Sequence, residues 1–143
     1  MPRIHRYAWF AVRALGAGAC GESSARSRLQ RSPLPAPDGR FVADVAVQTV
    51  AGRDFERYWI PVIRRADGEV VFRDAEGFPG RFSVDWRWDA DGNLWVYDSD
   101  DGQHTCDARR PGPDGPSFER IGGDALGGAS PPRELSREAI YGD

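Results

Sequence analysis

His104 and Cys106 stand two residues apart, a spacing that on a strand turns both side chains to one face and sets a thiol beside an imidazole. That pair, or a distant serine with His104, is the minimum for nucleophilic catalysis. No third group is placed by the sequence to orient the imidazole, so the pair reads first as part of an ordinary polar strand. Carboxylates are plentiful, and Asp85 with Glu69 or Glu76 could supply the two that a glycoside hydrolase sets across a cleft. Asp85 shares its stretch with Arg81, Ser83 and Arg87, which favours a cross-strand ion pair at a wet surface. Asp89, Asp91 and Asn93 alternate, as do Asp98 and Asp100, and converging oxygens of this kind suit Ca2+. Neither run continues into the calcium-loop pattern of glycine and glutamate, and aspartate beside glycine is what a hairpin turn demands anyway. All 19 basic residues are arginine, which excludes lysine Schiff-base chemistry. No residue is assigned a catalytic or metal-binding role, and no cofactor is implied.

The aromatic residues are more informative. Between residues 81 and 88 the even positions Phe82, Val84, Trp86 and Trp88 are large and apolar, with Arg81, Ser83, Asp85 and Arg87 between them. A period of two predicts a half-buried strand. Asp89, Ala90, Asp91, Gly92 and Asn93 break it with turn chemistry, and Leu94, Trp95, Val96 and Tyr97 resume it, so the two stretches form a hairpin. Leu94 and Val96 are the smaller pair and fit opposite the bulky tryptophans, which leaves Trp95 and Tyr97 on the other face. Exposed there, and joined by Trp59, Asp85 and Arg87, they make a platform for a sugar ring or a protein partner. A tail helix, or the strand that begins near Tyr58, could instead cover them.

The remaining elements follow the same logic. Phe41, Ala43, Val45, Val47 and Thr49 form the better core face of a first strand, followed by a turn at 51–54. Residues 58–63 are apolar on both faces and belong in a covered position, although Pro61 lacks an N–H, which points to a place beside an edge or at a bulge. Short strands over 69–73, 103–108 and 117–121 complete an all-β antiparallel meander of six to seven strands, a curled sheet or a small barrel. A short helix starting at Pro131 or Pro132, capped by Ser130 and stopped at Gly142, closes the chain. It docks through Leu135, Ile140 and Tyr141 or frays.

With 143 residues there is room for one core, and a formal charge of −3 with no basic stripe argues against a nucleic-acid partner. Two cysteines allow at most one internal disulfide. At the N-terminus, Arg3, His5 and Arg6 precede an apolar stretch from Ala8 that ends in small residues at Cys20. The stretch is too short to cross a bilayer as a permanent helix, for which about 20 apolar residues are needed. It resembles the signal peptide and lipobox of bacterial lipoproteins, with Arg13 inside the apolar run and Ala17 where that family usually carries leucine. The resemblance implies cleavage before Cys20, acyl chains on that cysteine and attachment to a membrane of the cell envelope. The alternative is an N-terminal helix packed on the domain, with Cys20 an ordinary buried thiol. Cleavage would remove three arginines and no acidic residue, moving the formal charge from −3 to −6.

The expected organisation is a signal peptide over 1–19, a lipidated cysteine with a Ser- and Pro-rich flexible linker over 20–39, a β domain over 40–121 and a Gly-rich tail with its helix over 122–143. The phrase from Asp91 to Tyr97, followed by Asp-Ser-Asp-Asp-Gly, also resembles the strand and turn of a β-propeller blade, which implies a partial propeller completed only by oligomerisation. The functional expectation is a lipid-anchored, non-enzymatic module that binds a protein or a glycan or acts as an inhibitor-like lipoprotein, with an envelope hydrolase using a carboxylate pair or His104 as the alternative.

Overall fold

The computed structural model describes residues 27–29, 32–49 and 57–142. The predicted signal peptide, Cys20 and the turn at 51–54 lie outside those residues. Among the described residues the chain forms ten strands: β1 (Ser27–Arg28), β2 (Leu34–Pro35), β3 (Phe41–Thr49), β4 (Arg57–Arg65), β5 (Val70–Arg73), β6 (Phe78–Pro79), β7 (Val84–Trp88), β8 (Leu94–Asp98), β9 (Gln103–Arg110) and β10 (Ser117–Gly122). They pair antiparallel in two sheets. One runs β1-β7-β8-β9-β10, the other β2-β3-β4-β5, with β6 also on β4. The all-β meander is as expected, and its form is two facing sheets rather than a closed barrel.

The hairpin of β7 and β8 shows why the alternation is decisive. Trp86 pairs with Val96 and Trp88 with Leu94, so all four point to one face. There they meet Phe41, Ala43 and Ile63 of the other sheet in a single dry core. The smaller partners do lie opposite the tryptophans. Burial of each large apolar side chain contributes about 1.5–3 kcal/mol, so this layer dominates cohesion. Trp88 spends its one donor well, Nε1–H bonding the Leu34 carbonyl of the opposite sheet at 2.9 Å. Phe118 of β10 meets the ring of Phe41 edge-on with centroids 5.1 Å apart.

Strand β4 lies beside the edge strand β5, and its pairing with β5 shifts register between Ile63 and Arg64, so Pro61 sits next to an edge as expected. In an antiparallel ladder the N–H and C=O of one residue point to the same neighbour. The Pro61 carbonyl accepts from the Asp74 N–H at 2.9 Å, beyond the end of β5, so the missing donor faces the gap between β5 and β6. No bond to β3 is lost. The same geometry turns the N–H of Val45, opposite Pro61, away from β4. Asp44 Oδ1 accepts it at 2.8 Å, so a side chain occupies a donor that a further strand would use.

Three expectations change. Part of the supposed linker belongs to the fold: β1 pairs with β7, β2 with β3, and Leu29 and Ala36 are core residues. Two-residue strands carry no readable period, which is why composition alone misplaced them. The C-terminal helix α1 spans Arg137–Tyr141 after a 3-10 turn over Arg133–Leu135, and its cap is Ser136 rather than Ser130. Ser136 Oγ accepts the Ala139 N–H at 3.1 Å, and Gly142 stops the helix in the left-handed conformation, as expected. A strand that the sequence does not announce, β6, follows the one expected over 69–73 and packs against β4.

Gly77 makes that packing possible. Its φ is +72°, and a Cβ there would stand 2.2 Å from Ile60 Cδ1 and 3.0 Å from the Trp59 carbonyl. Gly39 has a similar φ of +69° with open space around it. Gly77→Ala is therefore expected to lower stability by about 2–4 kcal/mol, combining backbone strain with overpacking, and Gly39→Ala by about 1 kcal/mol from the backbone alone. Urea midpoints of the two variants check this, and equal losses would refute the steric part.

Candidate functional site

The five residues expected to form an exposed platform do not form one. Trp95 and Tyr97 are 3% and 4% exposed, and Asp85 and Arg87 are buried. Trp59 is half-buried and packs against the inter-sheet core, on the other sheet. The outer face of the β7-β8-β9 sheet is covered by the C-terminal tail, whose Leu135 is fully buried among Trp95, Tyr97, Cys106 and Ala108, with Ile121, Leu126 and Ile140 at the margin. The correction has a plain cause: β8 is apolar on both faces, so both must be covered. Polar contacts fix the cover. Arg87 Nη1 lies 2.9 Å from Glu134 Oε2, and His104 Nε2 lies 2.7 Å from the Leu135 carbonyl oxygen. A carbonyl only accepts, so that nitrogen carries the proton and donates.

This geometry removes His104 and Cys106 as a catalytic pair. The imidazole nitrogen is committed to the tail, and its ring lies against Tyr97 with centroids 4.8 Å apart. Cys106 is a free, buried thiol pushed up to about 12, by burial first and then by the negative charges of Asp89 and Asp107. A thiol so protonated is a poor nucleophile at neutral pH. The shift carries a stability prediction. The folded value lies above the ordinary one near 9, so the unfolded chain loses the proton first. Between pH 9 and 12 this thiol reduces stability by about 1.4 kcal/mol per pH unit. Cys106→Ala is expected to show a shallower alkaline decline than the parent, measured by urea denaturation from pH 8 to 10.5; parallel curves would contradict it.

The alternating aspartates are turn residues. Asp89 Oδ1 accepts the N–H groups of Asp91 and Asn93, and Oδ2 accepts from Asn93 Nδ2 and Trp95 Nε1, all between 2.8 and 2.9 Å. That network fastens the β7-β8 turn and satisfies the indole under the tail. Among the described residues no group of three His, Cys, Asp or Glu side chains is placed to hold a metal ion.

A different set of residues converges where β10, the edge of one sheet, approaches β5, the edge of the other. Asp107 on β9 pairs in register with both Leu94 and Arg120, so its carboxylate is on the inner face, with no exposure at all. Arg120 grips it in a fork: Nε bonds Asp107 Oδ1, and Nη2 bonds Oδ2 at 2.9 Å. Nη1 of the same guanidinium reaches Oδ2 of Asp74, just beyond the end of β5, at 2.8 Å. Burial pushes the Asp107 carboxyl up and Asp74 adds to this, while Arg120 works against it. Burial alone would lower the Arg120 guanidinium, yet its two carboxylates hold it above its ordinary value. Three charges thus clamp β9 and β10 to the residue that follows β5.

Beside the clamp lies a pocket of about 460 Å³. Phe72, Phe78 and Val96 continue the core as its apolar lining, and Asp74, Asp98, Asp101, Thr105 and Arg120 give it polar walls. The Thr105 hydroxyl oxygen is out of solvent and has no hydrogen-bond partner within the protein. Burial raises the Asp98 carboxyl, and Asp101 and Asp100 raise it further, against the hydrogen bond it accepts from the Asp100 N–H. None of these residues was assigned to a site from sequence. A signal was present nonetheless: extending the β8 alternation across the next turn places Thr105 and Asp107 opposite Val96 and Leu94, and polar residues on an inner face are rarely idle. No family model, curated protein or solved structure matches this chain, so its site is read from its own geometry.

Proposed function

We propose that this chain is a non-enzymatic binding module of the bacterial cell envelope, held to a membrane by acyl chains on Cys20, which takes a polar group of a protein or a glycan into the inter-sheet pocket. The observation that carries the binding role is the pocket itself. Its volume of about 460 Å³ falls in the range of small-ligand sites, and it joins an apolar lining to a few fixed polar groups. Arg120, Asp74 and Asp107 are locked by mutual hydrogen bonds before any ligand arrives, which reduces the ordering cost of binding. The anchor rests on the lipobox-like stretch alone. Mass spectrometry of intact protein from a membrane fraction tests it: loss of residues 1–19 with acyl mass on the new N-terminal cysteine supports the tether, and an unmodified full chain removes it. Methyl NMR of Val96 and Thr105 during titration with envelope glycan fragments or partner peptides tests the pocket.

A second reading is favoured by one observation. Asp98 and Asp74 line the same cavity, Asp98 with a raised carboxyl and Asp74 held by Arg120, an asymmetry that suits a general acid and its partner. The carboxylate pair of a hydrolase would then be these two rather than Asp85 with Glu69 or Glu76. Glycan hydrolysis lost in Asp98→Asn would establish that reading, and hydrolysis that survives would end it.

A further inference from the structure

We propose that the inter-sheet pocket selects an organic cation, a primary ammonium or a guanidinium carried on a short aliphatic stem. The inference rests on the pocket being the ligand seat and adds the chemistry of what sits there. The clamp contains two carboxylates, Asp107 and Asp74, and one guanidinium, Arg120, so it holds a net negative charge of one, with both carboxylates buried and the guanidinium partly exposed. Buried charge left without a counter-charge is costly, and the cost falls when a cation enters beside it. Among the described residues the walls add Glu76, Asp98 and Asp101 against Arg73; Glu76, Asp101 and Arg73 are all exposed at the rim, and Asp98 is half-buried. The imbalance therefore persists across the pocket and points to a positive ligand.

The other groups present fit the same guest. Phe72 already carries the Arg120 guanidinium over its ring at 5.5 Å, so the aromatic lining is of a kind that accepts cations. Phe78 and Val96 offer apolar surface to an aliphatic stem. The unpartnered Thr105 hydroxyl, independent of the carboxylates, can accept an N–H. An anion is disfavoured, because Nε, Nη1 and Nη2 of Arg120 are all directed onto carboxylates. A hard divalent ion is disfavoured as well, since it requires several oxygens at one point and no such grouping occurs among the described residues.

Three probes separate the outcomes: butylguanidinium, its neutral isostere butylurea, and the disaccharide chitobiose, each titrated into the full chain at low ionic strength with the Val96 and Thr105 methyl signals as readout. Saturable shifts with butylguanidinium, at least about tenfold tighter than with butylurea, are expected, because the charge contributes on the order of 1 kcal/mol or more in a partly buried site. Asp98→Asn, at a half-buried rim position that leaves the clamp intact, should weaken the cation about tenfold and leave butylurea unchanged. Equal binding of butylguanidinium and butylurea, or binding of chitobiose alone, would overturn the cation while keeping the pocket as ligand seat. Absence of shifts with all three would overturn both.

Discussion

Leu135→Ala is expected to unfasten the tail from the sheet and to lower stability by about 2–5 kcal/mol. Leu135 is fully buried among Trp95, Tyr97, Cys106 and Ala108, the only residue of its 3-10 turn that is. Truncating it removes the apolar contact that the short helix α1, five residues long, cannot replace by itself. Two readouts distinguish undocking from general weakening. Cys106 should become reactive toward a thiol reagent under conditions where the core is still folded, and Trp95 emission should shift to the red. Glu134→Ala, at an exposed position whose partner is Arg87, serves as the comparison and should change stability much less than Leu135→Ala. A Leu135→Ala protein with parental stability and an unreactive Cys106 would mean that the tail does not cover this face.

Arg120→Met should cost about 3–5 kcal/mol at pH 7, because it leaves Asp107 and Asp74 buried without the cation between them. The pH dependence has a definite sign. Burial already raises the Asp107 carboxyl, and loss of Arg120 removes the group that opposes the rise. A carboxyl whose folded value lies above its unfolded value binds its proton more tightly in the folded state. Stability is then fullest below the unfolded value near 4 and declines as pH rises toward the folded value. The deficit of Arg120→Met relative to the parent should shrink between pH 7 and pH 4.5. Adding Asp107→Leu should recover a large part of it at pH 7, as apolar replacement of a buried pair commonly does. Denaturant midpoints of the parent, the single and the double variant decide the matter, and a deficit that grows on acidification would show that the clamp is not held by charge.

How far the sequence speaks for this fold can be judged residue by residue. The Val84–Trp88 part of the alternation, the Asp-Gly turn and the inward placing of Leu94 and Val96 are readable, because a strand's period of two survives in a single sequence and a tight turn leaves its partner no choice of register; Phe82, expected on the same face, precedes the strand and is only half-buried. The odd face of β3 is readable over its first half, where Phe41 and Ala43 are buried, but Val47 and Thr49 at its far end are exposed. What could not be read depends on contacts distant in the chain. Leu29 looks like a lone aliphatic residue among arginines and serines until β7 and the opposite sheet close over it. Trp95 and Tyr97 look exposed until a tail some forty residues later supplies Leu135. The clamp joins Asp74, Asp107 and Arg120 from three separate elements, and no local pattern marks them as partners. The candidate site was therefore less legible than the fold, since it lies between sheets and not along one of them.

The order of strands has a consequence for assembly during synthesis. One sheet is built from contiguous chain, residues 34–79, and can zip up hairpin by hairpin as it leaves the ribosome. The other draws β7 to β10 from the next forty residues but takes its edge from β1, at residues 27 and 28. That edge has no partner until residues 84–88 have been made, so the earliest described residues are among the last to find their place, and Leu29 waits with them. A nascent chain arrested before residue 84 should expose this segment to protease, whereas one arrested beyond the β10 strand should protect it.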